Sequence, residues 1–330
     1  MSEQVDLMKR ALIYLYTICC TVGLRAQDVG SAFQFLQLPV SSHAAALGGD
    51  NITIAEDDTE LSYHNPALLT NASGRTLSLN YMNYLYRTNT GGVGYAMEVG
   101  ERSMLGFRAQ YLDFGKMKNT DVNGNVLGYF SAKDMVLMGT YCFDLTNRWT
   151  GGVSGKFIYS NYELVYSLAL GVDLGVNYYD VEHEFSISAV ARNLGGQVKS
   201  FDETQEVLPF NLLVGVSKGF VYAPVRLSLT LTDLHKWKAG DFYNSSDDSW
   251  SALLLKHIIL GADIFPTKNT YLSVGYNFLL HSELKNHAKR SIEGLSLGAG
   301  LQVRSVKVGV SYGKYHVAAS SLMMNFAITL

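Results

Sequence analysis

The chain has 330 residues, a formal net charge of −3, only 17% charged residues, 31 Gly and 21 Tyr against 5 Pro. Such a length accommodates two ordinary soluble domains, but low charge with abundant Tyr and Gly points to long strands with aromatic and small positions. The near-neutral balance and the lack of a basic patch exclude nucleic-acid binding.

The continuous apolar run Ala11–Leu24 follows Lys9-Arg10 and precedes Leu24-Arg25-Ala26. That order of charge, apolar stretch and small residue predicts a signal peptide over residues 1–26, cleaved after Ala26; the run is too short to span a bilayer. Met8 is an alternative start, because Met8-Lys9-Arg10 makes a better leader than the acidic stretch before it. Cys19 and Cys20 lack the small-residue context of a lipidation site, and maturation leaves Cys142 alone, so no internal disulfide is expected.

Residues 27–75 differ in character from the remainder of the chain. Phe33, Phe35, Leu36 and Leu38 precede Pro39; then come the small-residue run Ser41–Gly49, acidic Glu56-Asp57-Asp58, and Asn65-Pro66-Ala67-Leu68-Leu69. The segment is too short to bury a core of its own, which predicts a plug packed inside something larger.

From Thr76 onward the pattern has period two. Fourteen strands are expected near 76–86, 91–100, 103–114, 134–145, 148–160, 164–178, 184–193, 209–219, 223–234, 254–264, 270–281, 293–303, 305–314 and 320–330. In one, Leu168, Leu170, Val172, Leu174 and Val176 oppose Ala169, Gly171, Asp173, Gly175 and Asn177. In the last, Leu322, Met324, Phe326, Ile328 and Leu330 make an apolar face that another layer must cover, and lipid is the expected cover. Strands of about ten residues suit a tilted crossing of a ~25 Å apolar band.

Connection lengths add an independent sign. Every second connector is short, as at 100–102, 146–147, 179–183, 220–222, 265–269 and 304, whereas the long ones, 115–133, 194–208, 235–253 and 282–292, fall in the other set. A transmembrane barrel places tight turns at one end and long loops at the other. The expectation is an all-β chain: a 14-stranded antiparallel transmembrane β-barrel over residues 76–330, with an N-terminal lumen plug, or hatch, over 27–75. Its compartment is the outer membrane of a Gram-negative bacterium.

Catalytic patterns are thin, and no enzyme is expected. Gly151–Lys156 has the wrong spacing for a phosphate loop and is followed by Phe157. Glu182-His183-Glu184 lies at a predicted turn, where alternating side-chain directions would separate metal ligands; no metal or other cofactor is expected. Asp247-Asp248, near Asp241 and Asn244, is read as a solvated loop before a Ca²⁺ site. The charges Arg108, Lys156, Asp173, Glu184, Arg192, Arg226, Asp263 and Lys307 are expected to face the lumen, in a mixture of signs that suits cross-linking to a plug better than an ion filter. Gly-rich strands at 91–94 and 151–155 are expected either to bend the wall or to make room for the plug.

The Asn65-Pro66-Ala67 turn, ending a pre-barrel segment before fourteen strands, resembles the FadL-type fatty-acid transporter fold. The run Phe33–Gly49, including Gly48 and Gly49, and Asp57-Asp58 followed by Asn65-Pro66-Ala67-Leu68-Leu69, is similar to the PorV/PorQ family of Bacteroidetes type IX secretion barrels. That resemblance implies a non-enzymatic anchor in the cargo-attachment complex. It would hold PorZ directly, with PorU and PorV in the larger assembly, amid outer-membrane lipid and lipopolysaccharide. Trp237, Phe242, Tyr243 and Trp250, in one long loop, are the candidate partner-binding residues, because aromatics dominate interface energetics. The alternative is a FadL-like channel for hydrophobic small molecules, which needs an apolar lumen pocket and a lateral wall opening.

Overall fold

The computed structural model describes residues 33–123, 125–163, 165–201, 205–220, 222–242, 249–284, 293–316 and 319–330. The expected leader, residues 1–26, lies outside them, as do Tyr243, Asn244 and Asp247-Asp248. Fourteen antiparallel strands close into a barrel: β1 (Thr76–Leu85), β2 (Thr88–Glu98), β3 (Ser103–Thr120), β4 (Val126–Asp144), β5 (Trp149–Tyr162), β6 (Val165–Asp180), β7 (Phe185–Lys199), β8 (Asn211–Phe220), β9 (Ala223–Leu231), β10 (Ile258–Thr267), β11 (Thr270–Asn277), β12 (Leu295–Val303), β13 (Val306–His316) and β14 (Ala319–Thr329). Each strand pairs with its sequence neighbours, and β1 pairs with β14 from Thr76↔Thr329 to Asn83↔Leu322, leaving no sheet edge.

Alternation sets the two faces. In β6, Ser167, Ala169, Gly171, Asp173, Gly175 and Asn177 point inward and are buried, while Leu170, Val172 and Val176 point outward and are exposed. Leu272, Leu297, Val310, Met324 and Phe326 continue the outer apolar belt. Polar groups inside and apolar side chains outside invert the plan of a water-soluble sheet.

The ends differ. At the turn end, all six connections have two to four residues; the long connections, 200–210, 232–257 and 278–294, lie at the loop end. Two details depart from the periodicity reading. The stretch 115–133 is largely strand, not loop, because β3 and β4 run on as a paired ribbon past Lys116↔Ser131 to a turn at 121–125. Strands β10 and β11 are shorter than expected, giving way to helix α2 (Trp250–Lys256) before β10 and α3 (Phe278–Leu284) after β11; α1 (Ser42–Ala46) lies in the plug. Alternating apolar residues cannot distinguish a strand end from one helical turn over a few positions.

Because β14 is hydrogen-bonded on both sides, its amides should exchange with deuterium as slowly in micelles as those of β5. Rapid exchange along β14 would mean an open sheet.

Candidate functional site: the lumen and its plug

Residues 33–75 lie inside the barrel, and most are buried. Ser41 caps α1, its Oγ accepting from the Ala44 amide. Gly48 and Gly49 end that turn with φ of 101° and 98°, a left-handed conformation that a β-carbon disfavours, and the Gly49 amide donates to the Ala44 carbonyl. Gly48 is also pressed against the wall, where its carbonyl accepts from Asn277 Nδ2 at 3.0 Å and its amide donates to Ser296 Oγ at 2.9 Å. Asn65 starts the 3₁₀ turn Pro66–Asn71: its Oδ1 accepts from the Ala67 amide, and its Nδ2 donates to the Ile52 carbonyl at 2.9 Å. Pro at the first position of such a turn sacrifices no hydrogen bond.

The wall makes room with glycine. A methyl group at Gly152 would collide with Pro66, one at Gly175 with Asn65, one at Gly275 with Leu47 and Gly48, and one at Gly298 with Ala46. Gly106, Gly215, Gly261 and Gly309 likewise face Leu69, Ile52 with Thr53, Leu47 and Ser42. The β2–β3 and β4–β5 ladders run through 91–94 and 151–155 without a register shift. Those glycine stretches carry no bulge, and at Gly152 the missing side chain seats the plug. Among the register shifts in the wall, two lie in the β6–β7 pairing, at Leu168/Ala169 and Val172/Leu174, while the β7–β8 ladder runs unbroken to Arg192↔Asn211, where β8 begins.

Ion pairs fasten the plug to the wall. His43 bridges Asp263 (Nε2, 2.9 Å) and Glu56 (Nδ1, 3.2 Å), while Arg226 contacts Glu56 at 2.7 Å and Asp263 at 2.6 Å, so two plug residues and two wall residues form a ring. The Tyr271 ring stacks on His43 with centroids 3.8 Å apart. On β7, two strands from Arg226, Arg192 holds Asp50, which also meets the His64 Nδ1 at 2.9 Å. Arg108 holds Glu60 at 2.7 Å, Lys307 holds Asp57, and Lys156 pairs within the wall to Asp173 at 2.7 Å beneath the Tyr63 ring. Seven of the eight charges expected in the lumen are thus placed there. Glu184 sits at the turn-end mouth, lining a cavity that Glu56 also borders. The plug partners His43, Asp50, Glu56 and Glu60 carried no periodic signal of their own.

Burial disfavours an imidazolium at His43, but the Asp263 and Glu56 carboxylates outweigh it and push its pKa up to about 9. Burial also opposes ionisation of Asp50 and Glu56, yet Arg192 with His64, and Arg226 with His43, hold both carboxyls down at about 2. Asp58 moves the other way, up to about 6, through burial and the neighbouring Glu60.

Toward the loop end the lumen holds an apolar cluster: Phe33 and Leu36 of the plug pack with Val136, Ile158, Ala169 and Leu208, and Phe201 stacks between Phe33 and Tyr162. Two cavities, of about 260 and 560 Å³, lie at the turn end between plug and wall; both are bordered by Glu56, Phe265 and Lys268.

The loop aromatics divide. Phe242 is buried against His257, with Lys236 and Lys256 over its ring; Trp237 is 47% exposed and tilts over His257 at 4.5 Å; Trp250, opening α2, is 71% exposed. The β6–β7 turn gathers Asp180, Glu182 and His183 with ligand atoms within 4.8 Å, closer than strand alternation implied, because the chain there is a turn. Asp180 is already engaged by Arg148 at 3.4 Å and His183 at 3.2 Å.

No family model matches the chain, and no curated protein does. Among solved structures, the chain shares its fold with FadL-type barrels. The Pseudomonas putida toluene transporter TodX superposes with a TM-score of 0.56 at 12% identity, over 88% of this chain and 97% of that one. The Ralstonia pickettii toluene transporter TbuX gives 0.55 at 13%, over 88% and 96%. A Pseudomonas aeruginosa FadL homologue gives 0.51 at 10%, over 87% and 97%. At such identities the likeness is one of fold.

Two outcomes are expected from this network. Arg226→Met strands Glu56 and Asp263 together in the lumen and should cost about 3–5 kcal/mol in denaturant unfolding from detergent. The pH dependence comes from His43, which binds its proton more tightly in the fold than at the ordinary value of 6.5. Its stabilisation is complete below about pH 6.5 and disappears as the pH rises through 9, so the thermal midpoint should fall across that window and the fall should flatten in His43→Ala.

Proposed function

We propose that this chain is an outer-membrane barrel of the PorV/PorQ kind that acts as a sealed, non-enzymatic surface anchor. The observation that carries this reading is the plug. It is cross-linked to opposite walls by His43–Asp263, Arg226–Glu56, Arg192–Asp50, Arg108–Glu60 and Lys307–Asp57, and seated on wall glycines. Opening a path through the barrel would part several buried ion pairs at once, each costly to break. The outer apolar belt supports a hydrocarbon surrounding, with the turn end toward the periplasm and the loop end outside.

The type IX assignment, with PorZ as direct partner and PorU and PorV in the wider complex, rests on the resemblance of residues 33–49 and 57–69. Trp250 and Trp237 are the docking aromatics that remain accessible; Phe242 serves the packing of its own loop.

A FadL-like channel for hydrophobic small molecules is the second reading, and the fold comparisons favour it over the anchor, since TodX and TbuX are described as toluene transporters. The apolar cluster around Phe33 and the shifted β6–β7 pairing are the features that serve it.

Tethering the plug separates the two. The Ser42 β-carbon lies 3.6 Å from where a Gly309 side chain would begin, so Ser42→Cys with Gly309→Cys should form a disulfide across plug and wall. The oxidised variant should still co-purify with PorZ from native outer membranes and leave uptake of small hydrocarbons unchanged. Loss of hydrocarbon uptake on oxidation, restored by reductant, would establish the channel instead.

A further inference from the structure

We propose that a cleft on the outer wall at the turn end binds the phosphate of a membrane phospholipid headgroup, an inference that rests on the membrane setting proposed above. The cleft, of about 550 Å³, lies between the β2–β3 and β4–β5 turns and is lined by Arg102, Leu145, Arg148, Trp149 and Tyr178. Trp149 and Tyr178 are paired in register across β5 and β6, their rings 5.1 Å apart, and both point outward at the turn-end border of the apolar belt. Outward on the same strands stand Val153, beyond Gly151, and Val176, both exposed. Leu145, 55% exposed, folds over Gly151 toward that belt.

Charge at the cleft is arranged for an anion. Arg102 lies over the Phe143 ring at 5.8 Å and has no carboxylate partner among the described residues. Arg148 contacts Asp180 at 3.4 Å and the Tyr178 hydroxyl at 3.3 Å through one terminal nitrogen, leaving further guanidinium donors. Two of the surrounding acids are engaged locally: Asp180 by Arg148 and His183, and Asp144 by the Thr150 hydroxyl at 3.1 Å. Glu101 lies within the β2–β3 turn and Glu182 within the β6–β7 turn, both exposed to solvent. Two guanidiniums suit bidentate capture of a phosphodiester, while Trp and Tyr suit the level at which headgroups meet hydrocarbon. A free anion would gain nothing from Leu145 and the adjoining Val153 and Val176, whereas an acyl chain continues along them. The turn end being periplasmic, the lipid belongs to the inner leaflet.

The test is native mass spectrometry of the full chain released from nanodiscs of phosphatidylethanolamine and phosphatidylglycerol. Arg102→Ala with Arg148→Ala should lower retained phospholipid about tenfold, while Lys116→Ala with Lys118→Ala, at the loop end, should leave it unchanged; heat-modifiable migration confirms that both variants are folded. Equal retention in the arginine variant, or equal loss in both, would overturn the site. Displacement of the lipid by millimolar inorganic phosphate would overturn the lipid in favour of a free anion. A wild-type chain that enters the nanodiscs yet keeps no phospholipid sinks this inference alone; one that does not enter them sinks the membrane reading as well.

Discussion

Closing fourteen strands into one sheet removes every edge and creates a lumen wider than the wall's own side chains can fill. The rest of the structure answers that constraint. An unfilled cylinder would leave Arg108, Lys156, Arg192, Arg226 and Asp263 facing one another across a void. The N-terminal segment fills it and brings the counter-charges. Because a filler this short has no core of its own, its order depends on the wall. Plug and barrel are therefore two halves of one packing problem.

The wall's composition reflects the same dependence. Glycine is ordinarily a poor strand residue, yet Gly152, Gly175, Gly275 and Gly298 stand where the plug backbone approaches so closely that a side chain would collide with it. Serine and asparagine between them, such as Ser296, Asn277 and Asn325, reach across to plug backbone groups that no helix or strand satisfies. The buried ion pairs add specificity of seating. Asp50, Glu56, Asp57 and Glu60 of the plug each meet a wall cation, so a shifted plug would leave several charges unpaired at once.

This arrangement is what makes the shared fold compatible with two roles. The same cylinder and hatch occur in proteins described as toluene transporters, and a fold does not specify what its lumen does. In this chain several charged contacts join hatch and wall, and an apolar cluster of its own Phe33, Leu36 and Leu208 fills the lumen toward the loop end. A conduit needs those contacts to be reversible; an anchor needs only the outer surface and the loops to be held still.

Much of this was legible in the sequence, for a physical reason. The two-residue period decides which side chains share a face, so the strand number, the polar lumen, the apolar belt and the separation of short turns from long loops all come from local pattern. The inward charges were legible too, because a charge on the small-residue face has only the lumen to enter. The tertiary structure alone decided what lies across the lumen. Nothing local in His43, Asp50 or Glu56 says that Asp263, Arg192 and Arg226 stand opposite, since those pairings join residues more than a hundred positions apart. It also decided where the period ends: β3 and β4 continue as a ribbon through 115–133, where the sequence has Gly, Asn and Lys that read as loop, because each strand finds its ladder in the other. Phe242, similarly, is an aromatic in a loop to any sequence reading; only the folded loop, closing over His257, turns it from a surface anchor into a buried one.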